Sequence, residues 1–216
     1  METQSLPLEL HDLLSQKDSD LGPVIQAALK NADVLESLCN GLLVKEDTYR
    51  YNCFLALLQI AESQPALLYP HWEFIASLLD SDNAYHRSTA VNLLAHLTPT
   101  DAKKKFEAIF ERYFGLLDDP SIVVARYVAR VAGVIAAAKP ALREHIITRL
   151  LSLDETTHRP QDRKDLMKAD VLLSLEAIFE AAQDQARLLA FAEGLLDCSS
   201  PKTRKAAKEF LSKFGG

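Results

Sequence analysis

Apolar residues along this chain recur three and four positions apart. Over residues 102–117, Phe106, Ile109, Phe110, Tyr113, Leu116 and Leu117 share one face of a helix. Ala125, Val128, Ala129, Ala132, Ile135 and Ala136 repeat that spacing. No stretch alternates apolar and polar residues with period two, so no strand is predicted. Prolines fall at the junctions. Pro120 behind Asp118-Asp119 and Pro201 behind Ser199-Ser200 read as first-turn prolines, where the missing N–H costs nothing. Pro65, Pro140 and Pro160 stand at similar junctions, and Pro70 is predicted to start a helix over 70–79.

The helical pattern repeats. LLVKEDTYRYNCFLALLQI from Leu42, LLDSDNAYHRSTAVNLLAHL from Leu78, LLDDPSIVVARYVARVAGVI from Leu116 and LLDCSSPKTRKAAKEFLSKF from Leu195 share a Leu-Leu pair, a short polar turn and an arginine. A longer copy begins at Leu150, so the starts lie 36, 38, 34 and 45 residues apart. Such a period signals helix pairs that bury their apolar stripes only by stacking. The predicted first helices cover 33–44, 70–80, 102–117, 141–153 and 185–197. The second helices cover 47–62, 84–97, 121–138, 161–182 and 201–213.

These segments resemble the HEAT and armadillo-like repeat family. Its pattern is a leucine-rich first helix, an Asp-Pro-type turn, then Val-Arg and small residues opening the second helix. Leu116-Leu117-Asp118-Asp119-Pro120 with Val124-Ala125-Arg126 carries the resemblance best. Leu78-Leu79-Asp80 with Arg87 and Ala90, and Leu195-Leu196-Asp197 with Arg204 and Ala207, match in part. The copy at Leu42 has Val44 in place of the aspartate, and the copy at Leu150 has a longer turn with Arg163 or Lys164 as its basic residue. The resemblance implies an all-α, right-handed α-α superhelix, a HEAT-like solenoid of about five helix pairs plus an N-terminal cap. It implies one domain over 1–216, with capping helices in 1–31 and repeats over 32–216. It also implies that the second helices line a concave groove, and that Asp80, Asp118 and Asp197 brace the turns or pair with the repeat arginines.

Composition supports a helical, water-exposed chain. Of 216 residues, 48% are apolar and 25% charged, and only 7 are glycine, few for a fold rich in hairpins. No apolar run reaches the roughly 18–20 residues of a membrane span, and the N-terminal residues lack a signal-peptide pattern. Cys39, Cys53 and Cys198 are odd in number and widely spaced, which points to packed thiols in a reducing, cytoplasmic setting. Charge is uneven: residues 1–100 hold five Lys/Arg against thirteen Asp/Glu, residues 101–140 seven against five, and residues 141–216 twelve of each.

The candidate chemistry is binding. Tyr49, Arg50, Tyr85, Arg87, Arg126, Tyr127, Arg130, Arg163 and Arg204 fall near the starts of the second helices. Stacked, they would form a basic and tyrosine stripe suited to an acidic peptide or a phosphate backbone. The competing reading makes the arginines turn braces and the tyrosines packing residues. Arg130, a turn beyond Arg126, is the better candidate for a free binding residue. The six histidines, His11, His71, His86, His96, His145 and His158, show no HExxH and no His-Glu pair of the kind that HEAT-fold deoxyhypusine hydroxylases use for iron. No phosphate loop, GxGxxG or GxSxG occurs. No catalytic residue, metal or cofactor is therefore assigned, and Trp72 reads as packing. The expectation is a protein-interaction scaffold whose partner is another protein or an acidic peptide, with no membrane. The alternative is a HEAT-fold enzyme or a nucleic-acid binder like the alkylpurine DNA glycosylases. The net charge of −6 disfavours a polyanionic partner. The longer turn over 154–165 is either a binding insertion or a neutral length variant.

Overall fold

The structure, a computed structural model, describes residues 7–157 and 159–216. The described residues contain helices and turns and no strand. The chain divides into two compact units, 1–102 and 103–216.

The first unit opens with α1 (Leu8–Ser15) and α2 (Gly22–Ala28), followed by the pair α3 (Ala32–Gly41) and α4 (Asp47–Ser63). The next first helix is broken into α5 (Pro65–Leu68), a 3-10 turn Tyr69–His71 and α6 (Trp72–Ser77), and then pairs with α7 (Ala84–Leu97). Pro70 therefore lies in the 3-10 turn instead of opening a helix. Side-chain caps fix helix starts: Asn31 accepts from Asp33 N–H and Asn83 from Tyr85 N–H. Leu38, Leu42, Leu57, Ile60, Trp72, Ile75 and Leu93 fill the core, which bears out Trp72 as packing. Asn52, buried on α4, donates to Leu14 O at 2.9 Å and Gln16 O at 2.8 Å, tying α1 to the repeat behind it.

The second unit holds three pairs: α8 (Lys105–Gly115) with α9 (Ile122–Ala138), α10 (Arg143–Leu151) with α11 (Gln161–Ile178), and α12 (Gln185–Glu193) with α13 (Pro201–Phe214). The expected all-α architecture of about five helix pairs behind an N-terminal cap is thus present. The second helices pack in series, α9 on α11 and α11 on α13. The α9–α11 contact is unusually close. Gly133 N–H donates to Ser174 Oγ at 3.0 Å, and Ser174 Oγ donates to Ala129 O at 2.6 Å. A Cβ on Gly133 would lie 2.8 Å from Ser174 O, so only glycine fits.

Three local expectations need correction. The Leu-Leu-Asp segments Leu78–Asp80 and Leu116–Asp118 are 3-10 turns that tighten the helix end. Leu117 is the core leucine of the third repeat, with Leu116 half-buried. Pro120 precedes the helix: Ser121 is the N-cap of α9, and Asp119 Oδ1 accepts Ser121 N–H at 2.7 Å. Pro201 does occupy the first turn, with Ser200 as cap.

Candidate functional site

The repeat arginine has a structural task at most positions. Four second helices carry a basic residue at their fourth position, one turn in. From there the side chain reaches back to carbonyls of the preceding turn, which the helix leaves without partners. Arg50 donates to Val44 O at 3.0 Å, Arg87 to Ser81 O at 2.6 Å, Lys164 to Asp154 O at 2.7 Å and Arg204 to Cys198 O at 2.7 Å. Lys164, and not Arg163, is thus the repeat's basic residue in the fourth copy; Arg163 is exposed, 3.9 Å from Asp162.

The third repeat departs from this rule. The fourth position of α9 is Ala125, fully buried, and Arg126 comes one residue later, about 100° further round the helix. Its turn carbonyls are held from the next repeat instead: Arg159 donates to Leu117 O at 2.8 Å and to Asp119 O. Beside it, Thr157 donates its N–H to Asp118 Oδ1 at 2.9 Å and its hydroxyl to Asp118 Oδ2 at 2.8 Å. Asp118 therefore meets Arg159 of the adjacent repeat, 4.0 Å away, and not Arg126. The longer turn over 154–165 is a brace. His158, within it, lies outside the described residues.

Released from the turn, Arg126 faces the α9–α11–α13 surface. Asp170 on α11, only 2% exposed, collects three cations there. Arg126 Nε lies 2.7 Å from Oδ2, Arg130 donates Nε and an Nη to Oδ1 at 3.1 and 2.8 Å, and Lys202 Nζ stands 3.8 Å from Oδ1. One carboxylate offsets one of three positive charges, so the cluster keeps a surplus of about two. Both terminal nitrogens of Arg126 and one of Arg130 make no hydrogen bond among the described residues. Tyr127 flanks Arg130, whose guanidinium carbon lies 5.9 Å from the ring centre. Val123 and Leu173, 53% and 52% exposed, add apolar surface.

Of the nine predicted residues, this face gathers Arg126, Tyr127 and Arg130. The four in the first unit are engaged locally. Tyr49 packs against His11 with ring centres 5.0 Å apart. Tyr85 donates its hydroxyl to Arg50 O at 3.0 Å, and the Arg50 guanidinium lies over the Tyr85 ring at 4.4 Å. Burial pushes both tyrosine hydroxyls up to about 12. Arg87 and Arg204 serve their turns. Asp170 and Lys202 were not expected from the sequence. The available signal for Asp170 was a carboxylate in the apolar stripe of α11, between Met167 and Val171.

A second buried polar group lies nearby on α11. Burial opposes ionisation of Asp165, but bonds from Gln161, from the Ser199 N–H and hydroxyl, and from Lys168 more than offset it, holding its carboxyl down at about 2. Lys168 also pairs with Asp154 at 2.7 Å. These contacts join α11, its preceding turn and the start of α13. The Cys39 and Cys53 thiols are buried and pushed up to about 12, mainly by desolvation, which makes them poor nucleophiles.

No known family model matches the chain, and no curated protein matches it. Among solved structures, the crystal structure of an engineered protein is similar over 96% of this chain and 87% of its own, at 19% identity and a TM-score of 0.52. At that identity the likeness bears on the fold alone. Among the described residues, no helix is long and apolar enough to cross a membrane.

Proposed function

We propose that this protein is a HEAT-like interaction scaffold and that its α9–α11–α13 face binds an acidic segment of a partner protein. The observation that carries this reading is the cluster of Arg126, Arg130 and Lys202 around the single carboxylate of Asp170. Its surplus positive charge is held rigidly by a buried group, and open guanidinium edges face solvent. Arginine edges of this kind donate bidentately to carboxylates, and Tyr127, Val123 and Leu173 offer apolar contact to the same segment. The charge balance supports a short anionic ligand over a long one. Residues 1–102 carry five Lys/Arg against fourteen Asp/Glu, leaving nineteen against sixteen for 103–216. Free thiols at all three cysteines support the cytoplasm as its compartment.

The test is a titration of the whole chain with a glutamate-rich peptide and with duplex DNA over a range of salt, using wild type and Arg130→Glu. Peptide binding that weakens with salt and is lost in the variant is the expected result. Tight DNA binding with a steep salt dependence would replace this reading with a nucleic-acid function.

A further inference from the structure

The cluster is built for more charge than one carboxylate supplies. Three cationic side chains from two helices touch Asp170, which is counted on by all of them and belongs to a third. The unused donors are the two terminal nitrogens of Arg126, one of Arg130 and the Lys202 ammonium. Arg126 and Arg130 line one hollow beside Asp170 and Arg130 and Lys202 line another, so Arg130 is shared by both. A glutamate side chain brings one charge and a planar pair of oxygens. A phosphate monoester brings close to two charges and three oxygens in a tetrahedral array, which matches the surplus of about two.

Lys202 strengthens the case from a separate direction. It is the second residue of α13, whose first turn is Pro201-Lys202-Thr203 behind the Ser200 cap. A cation there opposes the positive end of the helix dipole, so the position disfavours lysine for stability. A bound dianion reverses the sign: both the ammonium and the helix end then favour it. The neighbouring acids are already matched, Glu176 by Lys213 at 2.7 Å and Glu209 by Lys205 at 3.6 Å.

Two hollows meet at Arg130. One, of about 110 Å³, is lined by Val123, Arg126, Tyr127 and Arg130. The other, of about 360 Å³, includes Arg130, Asp170, Leu173, Lys202 and Phe210. A ligand anchored at Arg130 can therefore place apolar side chains on both sides of its anion, which a peptide does and a free ion does not.

We propose that the group recognised at Arg126, Arg130 and Lys202 is a phosphoserine or phosphothreonine of a partner protein, with apolar residues beside it. This deepens the scaffold reading and rests on it. The test uses fluorescence anisotropy of the whole chain with a labelled peptide carrying phosphoserine between leucines, its serine and glutamate counterparts, and inorganic phosphate as competitor. The phosphopeptide is expected to bind at least about tenfold more tightly than the glutamate peptide. Lys202→Glu and Lys202→Ala should each abolish that preference, whereas Arg187→Glu, on α12 outside the cluster, should keep it; circular dichroism checks that every variant is folded. Equal binding of the phosphorylated and glutamate peptides would overturn the phosphate assignment and leave the scaffold reading standing. Failure of every peptide would overturn both. Inorganic phosphate competing as strongly, mole for mole, as the unlabelled phosphopeptide would show that no peptide is read.

Discussion

At the scale of single residues, a one-position offset sets the character of the face. Arginine at the fourth position of a second helix is consumed by turn carbonyls, as at Arg50, Arg87 and Arg204. Moving it to the fifth position, as at Arg126, turns it onto Asp170. The move is tolerated because Arg159 supplies the missing donors with a fork that spans two carbonyls. Arg159→Ala should therefore lower stability by about 1–3 kcal/mol, and Arg159→Lys should restore little of it, since an ammonium lacks the fork. Urea unfolding measures both, and an unchanged midpoint in Arg159→Ala would contradict the brace. Asp165 makes a pH-dependent contribution. Its carboxyl titrates at about 2 in the folded chain against an ordinary 3.8, so the unfolded chain takes up the proton first as pH falls. The stabilisation is complete above about pH 4 and fades towards about pH 2. Asp165→Asn should be less stable than wild type at neutral pH, with the difference shrinking across that window; a constant difference would contradict the assignment.

At the scale of elements, the helix pairs were legible because their cause is local: apolar spacing, capping residues and a repeated Leu-Leu turn. The predicted second helices agree with α4, α7, α9, α11 and α13 to within a few residues. Pro120 was misplaced because Asp119 closes its own turn onto Ser121 and postpones the helix start. The site was legible only in part. Arg126, Tyr127 and Arg130 stand out in one helix, but Asp170 joins them from 40 residues away or more and Lys202 from a third helix, and no local pattern records that meeting. What brings α9 and α11 together is Gly133 against Ser174. Gly133→Val should push the helices apart and cost about 1–3 kcal/mol, although valine has the better helix propensity. Thermal unfolding checks this, and a gain in stability would show that the close approach is not required.

At the scale of the whole molecule, the two units divide the charge unequally, and the binding claim belongs to the second. Residues 1–102 carry fourteen acids against five bases, which disfavours a long polyanion, while the proposed anion site is confined to the cations on α9 and α13 around Asp170. Affinity for an acidic segment should therefore depend on a few close cations. The most direct test is an amide NMR titration of the full chain with the acidic peptide. The largest shifts should cluster at Val123, Arg126, Tyr127, Arg130, Leu173 and Lys202. Shifts concentrated instead at Tyr49, Arg50, Tyr85 and Arg87, with the α9–α11–α13 face unmoved, would contradict it.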